Sequence, residues 1–108
     1  LTALAQKPLH GYGVITEVAE LSGGRLTLRP GTLYGALDRL GDDGLVANDR
    51  EEIVDGRLRR YYRLTDEGEA VLRAETQRLR LNVQAATRRL RAREQVAGAR
   101  VLPAGGAA

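Results

Sequence analysis

The stretch from Asp66 to about Gln95 most constrains what this chain can become. It runs 30 residues without a proline. Thr65 ahead of it is a good N-cap, and Asp66 and Glu67 favour the positive end of a helix dipole. Leu72, Thr76, Leu79, Val83, Ala86 and Leu90 recur at a 4-and-3 spacing, the pattern of a seam against another helix. At roughly 1.5 Å per residue such a helix is about 45 Å long, too long for one small domain to cover. The whole chain has 108 residues, so only one small domain fits ahead of the helix. A chain of this size buries about two-thirds of its unfolded surface, and a partner subunit would help it.

Composition excludes several classes. Hydrophobic residues make up 43% and charged residues 29%, which suits a globular domain and is too apolar for a disordered one. The length rules out a Rossmann, hydrolase or barrel enzyme. Cysteine is absent and His10 is the single histidine. That removes disulfides, thiolate metal sites, two-histidine metal sites and most acid–base chemistry. No phosphate-loop glycine motif is present. The expectation is therefore no catalytic residue, no metal, no cofactor and no enzyme. No apolar run approaches a membrane span, and no secretory segment is visible, so the expected location is cytoplasmic. The sequence starts at Leu1 rather than methionine, and a preceding segment is expected to complete the first helix and part of a dimer interface.

Net charge is +3, from 17 basic and 14 acidic side chains. Its distribution says more. Residues 1–65 carry nine of each sign, and residues 66–108 carry eight basic and five acidic. Within the first part the signs segregate. Asp49 to Asp55 holds four acids and one arginine, whereas Arg57 to Arg63 holds four arginines and no acid. Sixteen of the basic residues are arginine, the side chain whose fork suits phosphates and guanine edges. A GC-rich coding bias would enrich arginine as well.

The coarse order of elements follows from periodicity. Leu1 to Gln6 reads as the end of a helix stopped by Lys7-Pro8. A helix from about Gly11 to Ser22 carries Val14, Ile15, Val18 and Leu21 as a buried stripe, and Gly23-Gly24 ends it. Arg25 to Arg29 alternates and suits a very short strand. Pro30 opens a further helix with Leu33, Ala36, Leu37 and Leu40 inward, and Gly44 closes it. Leu45 to Arg50 and Leu58 to Leu64 read as strands joined at the hairpin signal Asp55-Gly56. Val96 to Ala108, with three glycines, five alanines and Pro103, reads as a flexible tail. The predicted fold is mainly α with a small β-hairpin: a winged helix-turn-helix over residues 1–65, a dimerisation helix over 66–95 and a tail over 96–108.

Two segments carry a chemical signal. On the Pro30 helix, Gly31, Gly35 and Asp38 lie opposite the leucines, with Thr32, Tyr34 and Arg39 on the flanks. Small residues there let a backbone approach DNA closely, and Thr32, Tyr34 and Arg39 can reach phosphates or base edges. An ordinary amphipathic helix would show the same stripe, although Gly35 in mid-helix costs about 1 kcal/mol. On the hairpin, Arg57, Arg59, Arg60 and Arg63 flank the Asp-Gly turn, so its tip can enter a minor groove or ride on phosphates. A solvated edge strand protected by charge reads the same way. The order of the two, recognition-type helix then basic hairpin, is the stronger sign. His10 suits a helix start or a phosphate contact, and Tyr12 is either a phosphate donor or partly buried. Arg88, Arg89, Arg91 and Arg93 read as a solvated face near a helix C-terminus, or as a contact with flanking DNA or an acidic partner.

Three motifs in order, PLHGYGV at 8–14, RPGTLYGALDRLGDDGLV at 29–46 and RRYYRLTDEG at 59–68, resemble those of PadR-type transcriptional regulators, over roughly positions 1–68. The single long final helix is similar to the shorter branch of that family. The resemblance implies a winged-helix homodimer that binds a palindromic operator, usually as a repressor. It places the recognition helix at about 30–43 and the wing at about 45–64, with Arg29, Gly31, Thr32 and Tyr34 at the DNA. It puts His10 and Tyr12 near the backbone of the duplex, and dimer contacts on the N-terminal and long helices, including Leu1 and Leu4. The chain departs from the pattern at Arg29, where serine usually caps the helix, at Gly35, often proline, and at Asp38, often basic or polar. An acid at 38 repels phosphate and can accept from a cytosine amino group. Some relatives stack planar drugs on aromatic residues at the dimer interface. No aromatic residue follows Tyr62, so this chain lacks that platform, and a small-molecule effector stays unidentified.

The reading is thus a DNA-binding regulator whose partners are double-stranded DNA and a second copy of itself, with no membrane partner. The alternative is a winged-helix module that binds protein without DNA, which the balanced charge over 1–65 and Asp38 favour and the arginine-bearing hairpin opposes.

Overall fold

The computed structural model describes the backbone of residues 1–107 and the side chains of residues 1–98. After a 3-10 turn at Thr2–Leu4 come β1 (Leu9–His10), α1 (Gly11–Leu21), α2 (Pro30–Asp42), β2 (Val46–Val54), β3 (Arg57–Leu64) and α3 (Asp66–Ala107). The chain forms two units, Leu1–Arg73 and the part of α3 from Ala74 onward.

In the first unit one core is closed by Leu4, Val14, Leu33, Leu37 and Val46, with Ile15, Val18, Leu28, Leu40, Tyr62 and Leu64 around it. The helical stripes read from spacing supply it. Proline at the first position of α2 fixes the backbone where no N–H is needed. Gly44, at φ +76°, turns the chain out of α2, and Leu45 N–H returns to the Leu40 carbonyl at 2.9 Å. This left-handed exit strongly favours glycine.

The sheet has order β1-β3-β2, all antiparallel. Asp55 and Gly56 form the two-residue loop between β2 and β3, both at positive φ (51° and 73°). That is the type I′ geometry matched to strand twist. A register shift between Asn48 and Arg50 leaves Asp49 as an extra residue in β2.

At the end of β3, Thr65 N–H donates to the Leu45 carbonyl at 3.1 Å. Its hydroxyl donates to the Gly44 carbonyl at 2.6 Å and accepts from Gly68 N–H at 3.0 Å. The N-cap read from the sequence therefore also fastens the start of α3 to the corner between α2 and β2. Gly68 is buried there, and a Cβ on it would overlap the Leu45 carbonyl oxygen.

Several expectations need correction. Leu1 to Gln6 holds only the 3-10 turn, because Pro8 lies too close for a longer helix to close. Leu4, expected at a subunit contact, is 5% exposed and belongs to its own core. Leu1 is half-buried beside it. Arg25 to Arg29 is irregular. Leu26 there is exposed, and no strand lies alongside to satisfy a ladder. The third strand is instead Leu9–His10. β2 begins at Val46 and runs to Val54, beyond the Arg50 end inferred for it, because its pairing with β3 continues to the turn. α3 continues to Ala107, past the expected end near Gln95, through a stretch that includes good helix formers such as Ala97. Most of the expected tail falls on residues whose side chains lie outside the described set, and Ala108 lies outside it altogether. Arg88, Arg89, Arg91 and Arg93 are exposed, but they do not sit at a helix end.

The second unit, taken by itself, is a helix with an uncovered apolar line. Leu79, Val83 and Leu90 are 49%, 64% and 60% exposed, and Ala86 between them is exposed as well.

Candidate nucleic-acid interface

The first unit has a concave face of about 850 Å³ between the start of α1, the outer face of α2 and the β2–β3 hairpin. Three separate segments meet there: His10, Gly11 and Tyr12; Tyr34 and Asp38; and the hairpin residues Arg57, Arg59 and Arg60, with Tyr62 behind them. Of the residues singled out from sequence, the groove gathers His10, Tyr12, Tyr34, Arg57, Arg59 and Arg60. Arg29, Gly31 and Thr32 do not line it. They are exposed at the entry and first turn of α2. Arg39 is exposed on the same helix and Arg63 on β3.

His10 precedes α1 in extended conformation, with no side-chain cap to the helix. Its ring meets Tyr61 edge-on at 5.4 Å, and the Arg50 guanidinium lies 4.1 Å over the same tyrosine ring. Partial burial holds the imidazole pKa below its ordinary value, the Arg59 charge adds to that effect, and Glu52 opposes it. Tyr12 is 75% exposed, so it is not the partly buried tyrosine of the second reading. Tyr34 crosses from α2 to the start of α1. A Cβ on Gly11 would stand 2.6 Å from its hydroxyl oxygen. Tyr62 sits deeper, its phenol pKa raised first by burial and then by Tyr34 and Asp38.

The segregated charges become cross-strand partners. Arg60 Nε donates to Glu51 at 3.1 Å, and Arg63 lies 4.0 Å from Asp49. Within β2 itself, Arg50 lies 3.7 Å from Glu52. These pairs are exposed and add little to stability. They do divide the arginines of the hairpin. Among the described residues Arg57 and Arg59 have no carboxylate within ion-pair distance, so their charge is uncompensated beside the groove.

α1 and α2 both begin without a side-chain cap or an acid in the first turn. Arg29 takes the cap position of α2 and supplies no acceptor, as its side chain dictates. Such helix starts expose N–H donors suited to phosphate.

Sequence reasoning missed Gly11, whose role depends on Tyr34 across the fold. It also missed Ile53 and Leu58, which face each other near the hairpin tip at 77% and 58% exposure. The alternation in β3 carried the signal for Leu58, but inward and outward faces look alike until the partner strand is placed. Among the described residues no group of three or more histidines and carboxylates could hold a metal, and no helix is long and apolar enough to cross a membrane.

A helix-turn-helix unit with a three-stranded sheet whose hairpin stands beside the second helix defines a winged-helix regulator. Residues 1–74 match the Transcriptional regulator PadR-like family, and the chain belongs to it. It is 45% identical over 68 residues to a transcriptional regulator of Mycobacterium tuberculosis, over 63% of this chain and 60% of that protein. The match thus spans less than two-thirds of that relative. A PadR family regulator from Clostridium difficile superposes with a TM-score of 0.69 at 28% identity, over 82% of this chain and 91% of that one. PadR of Bacillus subtilis, solved in complex with operator DNA, superposes with a TM-score of 0.59 at 26% identity, over 68% of this chain and 42% of that one.

Proposed function

We propose that this chain is a sequence-specific DNA-binding regulator that acts in the cytoplasm as a homodimer and represses by occupying a palindromic operator. One observation carries the reading. Tyr34 on α2 and the uncompensated Arg57 and Arg59 of the hairpin line the same groove. A helix flank that can reach base edges thus stands beside cations that can reach phosphate. That a Bacillus subtilis relative was solved in complex with operator DNA supports DNA binding. In this reading residues 1–65 contact DNA, with α2 in the major groove and the hairpin on the minor groove or backbone. Residues 66–95 pair two copies. Two α2 helices then enter major grooves about one helical turn, roughly 34 Å, apart. The chain works as a regulator rather than an enzyme.

The exposed line of Leu79, Val83, Ala86 and Leu90 supports pairing, because an apolar stripe at heptad spacing gains by meeting another. A protein-binding module is the second reading. It draws on the Glu51–Arg60 and Asp49–Arg63 pairs, which engage two of the four arginines of β3.

A salt titration of binding to the DNA upstream of the protein's own gene, beside a scrambled duplex, tests the proposal. Saturable binding well above the control, falling steeply with salt, is the expected result. Loss of all DNA preference with a protein partner retained would favour the second reading.

A further inference from the structure

Gly31, Gly35 and Asp38 follow one another along the outer face of α2 at i, i+4 and i+7. Packing does not require either glycine, since a Cβ at 31 or 35 would meet nothing within 4 Å. Glycine also weakens a helix interior, so the fold alone does not favour it there. The face is left low up to Asp38, the first residue on that line with a side chain. Asp38 is exposed and lines the groove together with Arg60. Arg60 gives its Nε to Glu51 instead. Among the described residues Asp38 has no hydrogen bond and no ion pair. Its carboxylate lines the groove with no hydrogen-bond donor or cation paired to it, and its charge is felt by the Tyr62 phenol behind.

Such a carboxylate repels every phosphate it passes, whereas a donor on a base edge would compensate it. In the major groove guanine offers the acceptors N7 and O6, and thymine offers O4 and a methyl group. Adenine sets its amino group beside the acceptor N7, whereas cytosine offers the N4 amino donor. Resting on the DNA-binding reading above, we propose that Asp38 is a specificity-determining residue, its carboxylate accepting a hydrogen bond from the N4 amino group of a cytosine in each half-site. The same charge disfavours sequences that place an acceptor there. Gly31 and Gly35 act with it by letting the helix seat closely enough for this short side chain to reach.

The test is selection from a random duplex library with the full chain, comparing wild type, Asp38→Ala and Asp38→Asn, with thermal melts to verify folding. Wild type is expected to enrich one cytosine position in each half-site. Asp38→Ala is expected to lose roughly tenfold or more of that preference while other positions keep theirs. Asp38→Asn is expected to move the preference at that position toward adenine, which asparagine pairs well. The same preferred base at every position in all three proteins would overturn the proposal. So would a uniform loss of affinity in both variants without a change of preference, which would make Asp38 a structural residue. Failure of wild type to enrich any sequence would overturn the DNA-binding reading itself, and that outcome is distinct from the other two.

Discussion

The Tyr34 hydroxyl occupies the space that a side chain on Gly11 would need, 2.6 Å from the position of its Cβ. The contact joins the first residue of α1 to the outer face of α2. Because the obstructing atom is the far end of a flexible side chain, Gly11→Ala is expected to displace Tyr34 more than it disturbs the fold. Stability should change by about 1 kcal/mol or less, since the phenol can rotate away and alanine suits a helix better than glycine. Affinity for operator DNA should fall several-fold, to the level of Tyr34→Ala. A chemical melt and a binding isotherm on the same preparation check both halves.

The hairpin arginines fall into two groups. Arg57 and Arg59 lack an ion-pair partner among the described residues, while Arg60 and Arg63 face Glu51 and Asp49. Arg57→Ala with Arg59→Ala should flatten the logarithmic salt dependence of DNA binding by about 0.9 for each phosphate left without its cation. Arg60→Ala with Arg63→Ala should change it less, because their charge is already partly answered. Equal slopes for the two double variants would remove the distinction.

His10 predicts opposite pH trends for folding and binding. Its folded pKa lies below the ordinary 6.5, with burial the main cause. The unfolded chain therefore binds more protons as the pH falls below about 6.5, and stability declines shallowly over that interval. A phosphate brought beside the ring would act in the other sense, raising the pKa of the complex above that of the free protein. DNA affinity should thus rise over the same interval. His10→Gln should flatten both curves, as seen by melts and isotherms across about pH 5 to 8.

The apolar line on α3 predicts the assembly state. Leu79→Asp with Leu90→Asp should convert a dimer into a monomer in sedimentation velocity, since both positions fall on one heptad seam. A dimer that survives both charges would place the subunit contact elsewhere.

Among the described glycines, Gly68 is the least tolerant of a side chain. Its neighbour is a backbone carbonyl, that of Leu45, together with the Leu64 side chain, so relief requires moving the main chain. Gly68→Ala should cost about 3 kcal/mol. Thr65→Ala should cost about 1 kcal/mol through removal of the cap. Urea denaturation measures both.

Much of this is legible in the chain because local chemistry and tertiary need agree. Asp55-Gly56 fits a turn that demands positive φ twice. Pro30 fits a first helical turn, and the stripe of Leu33, Leu37 and Leu40 points to a core. The remainder depends on partners distant in sequence. Leu9–His10 is too short to show a period and becomes a strand only because Tyr61 and Tyr62 offer it an edge. Leu26 and Leu28 alternate as a strand would, yet no neighbour completes a ladder there. Leu4 reads as free for another subunit until Val14, Leu33 and Val46 close around it. The acids at 49 to 52 read as a separate negative run, and only the hairpin register sets them against arginines. Asp38 stands out as a departure from the family pattern, but its lack of a counter-ion is a fact of the folded surface.

The two-residue pairing of Leu9 with Tyr62 and His10 with Tyr61 has a mechanical consequence. It welds the entrance of α1 to the central strand of the sheet, so the spacing between α2 and the hairpin tip is set when the domain folds. In the DNA-binding reading proposed above, much of the ordering entropy of the first unit is then spent before a duplex arrives. That unit would act as a caliper of set span, and an inserted base pair between the points it touches would have to be absorbed by the DNA.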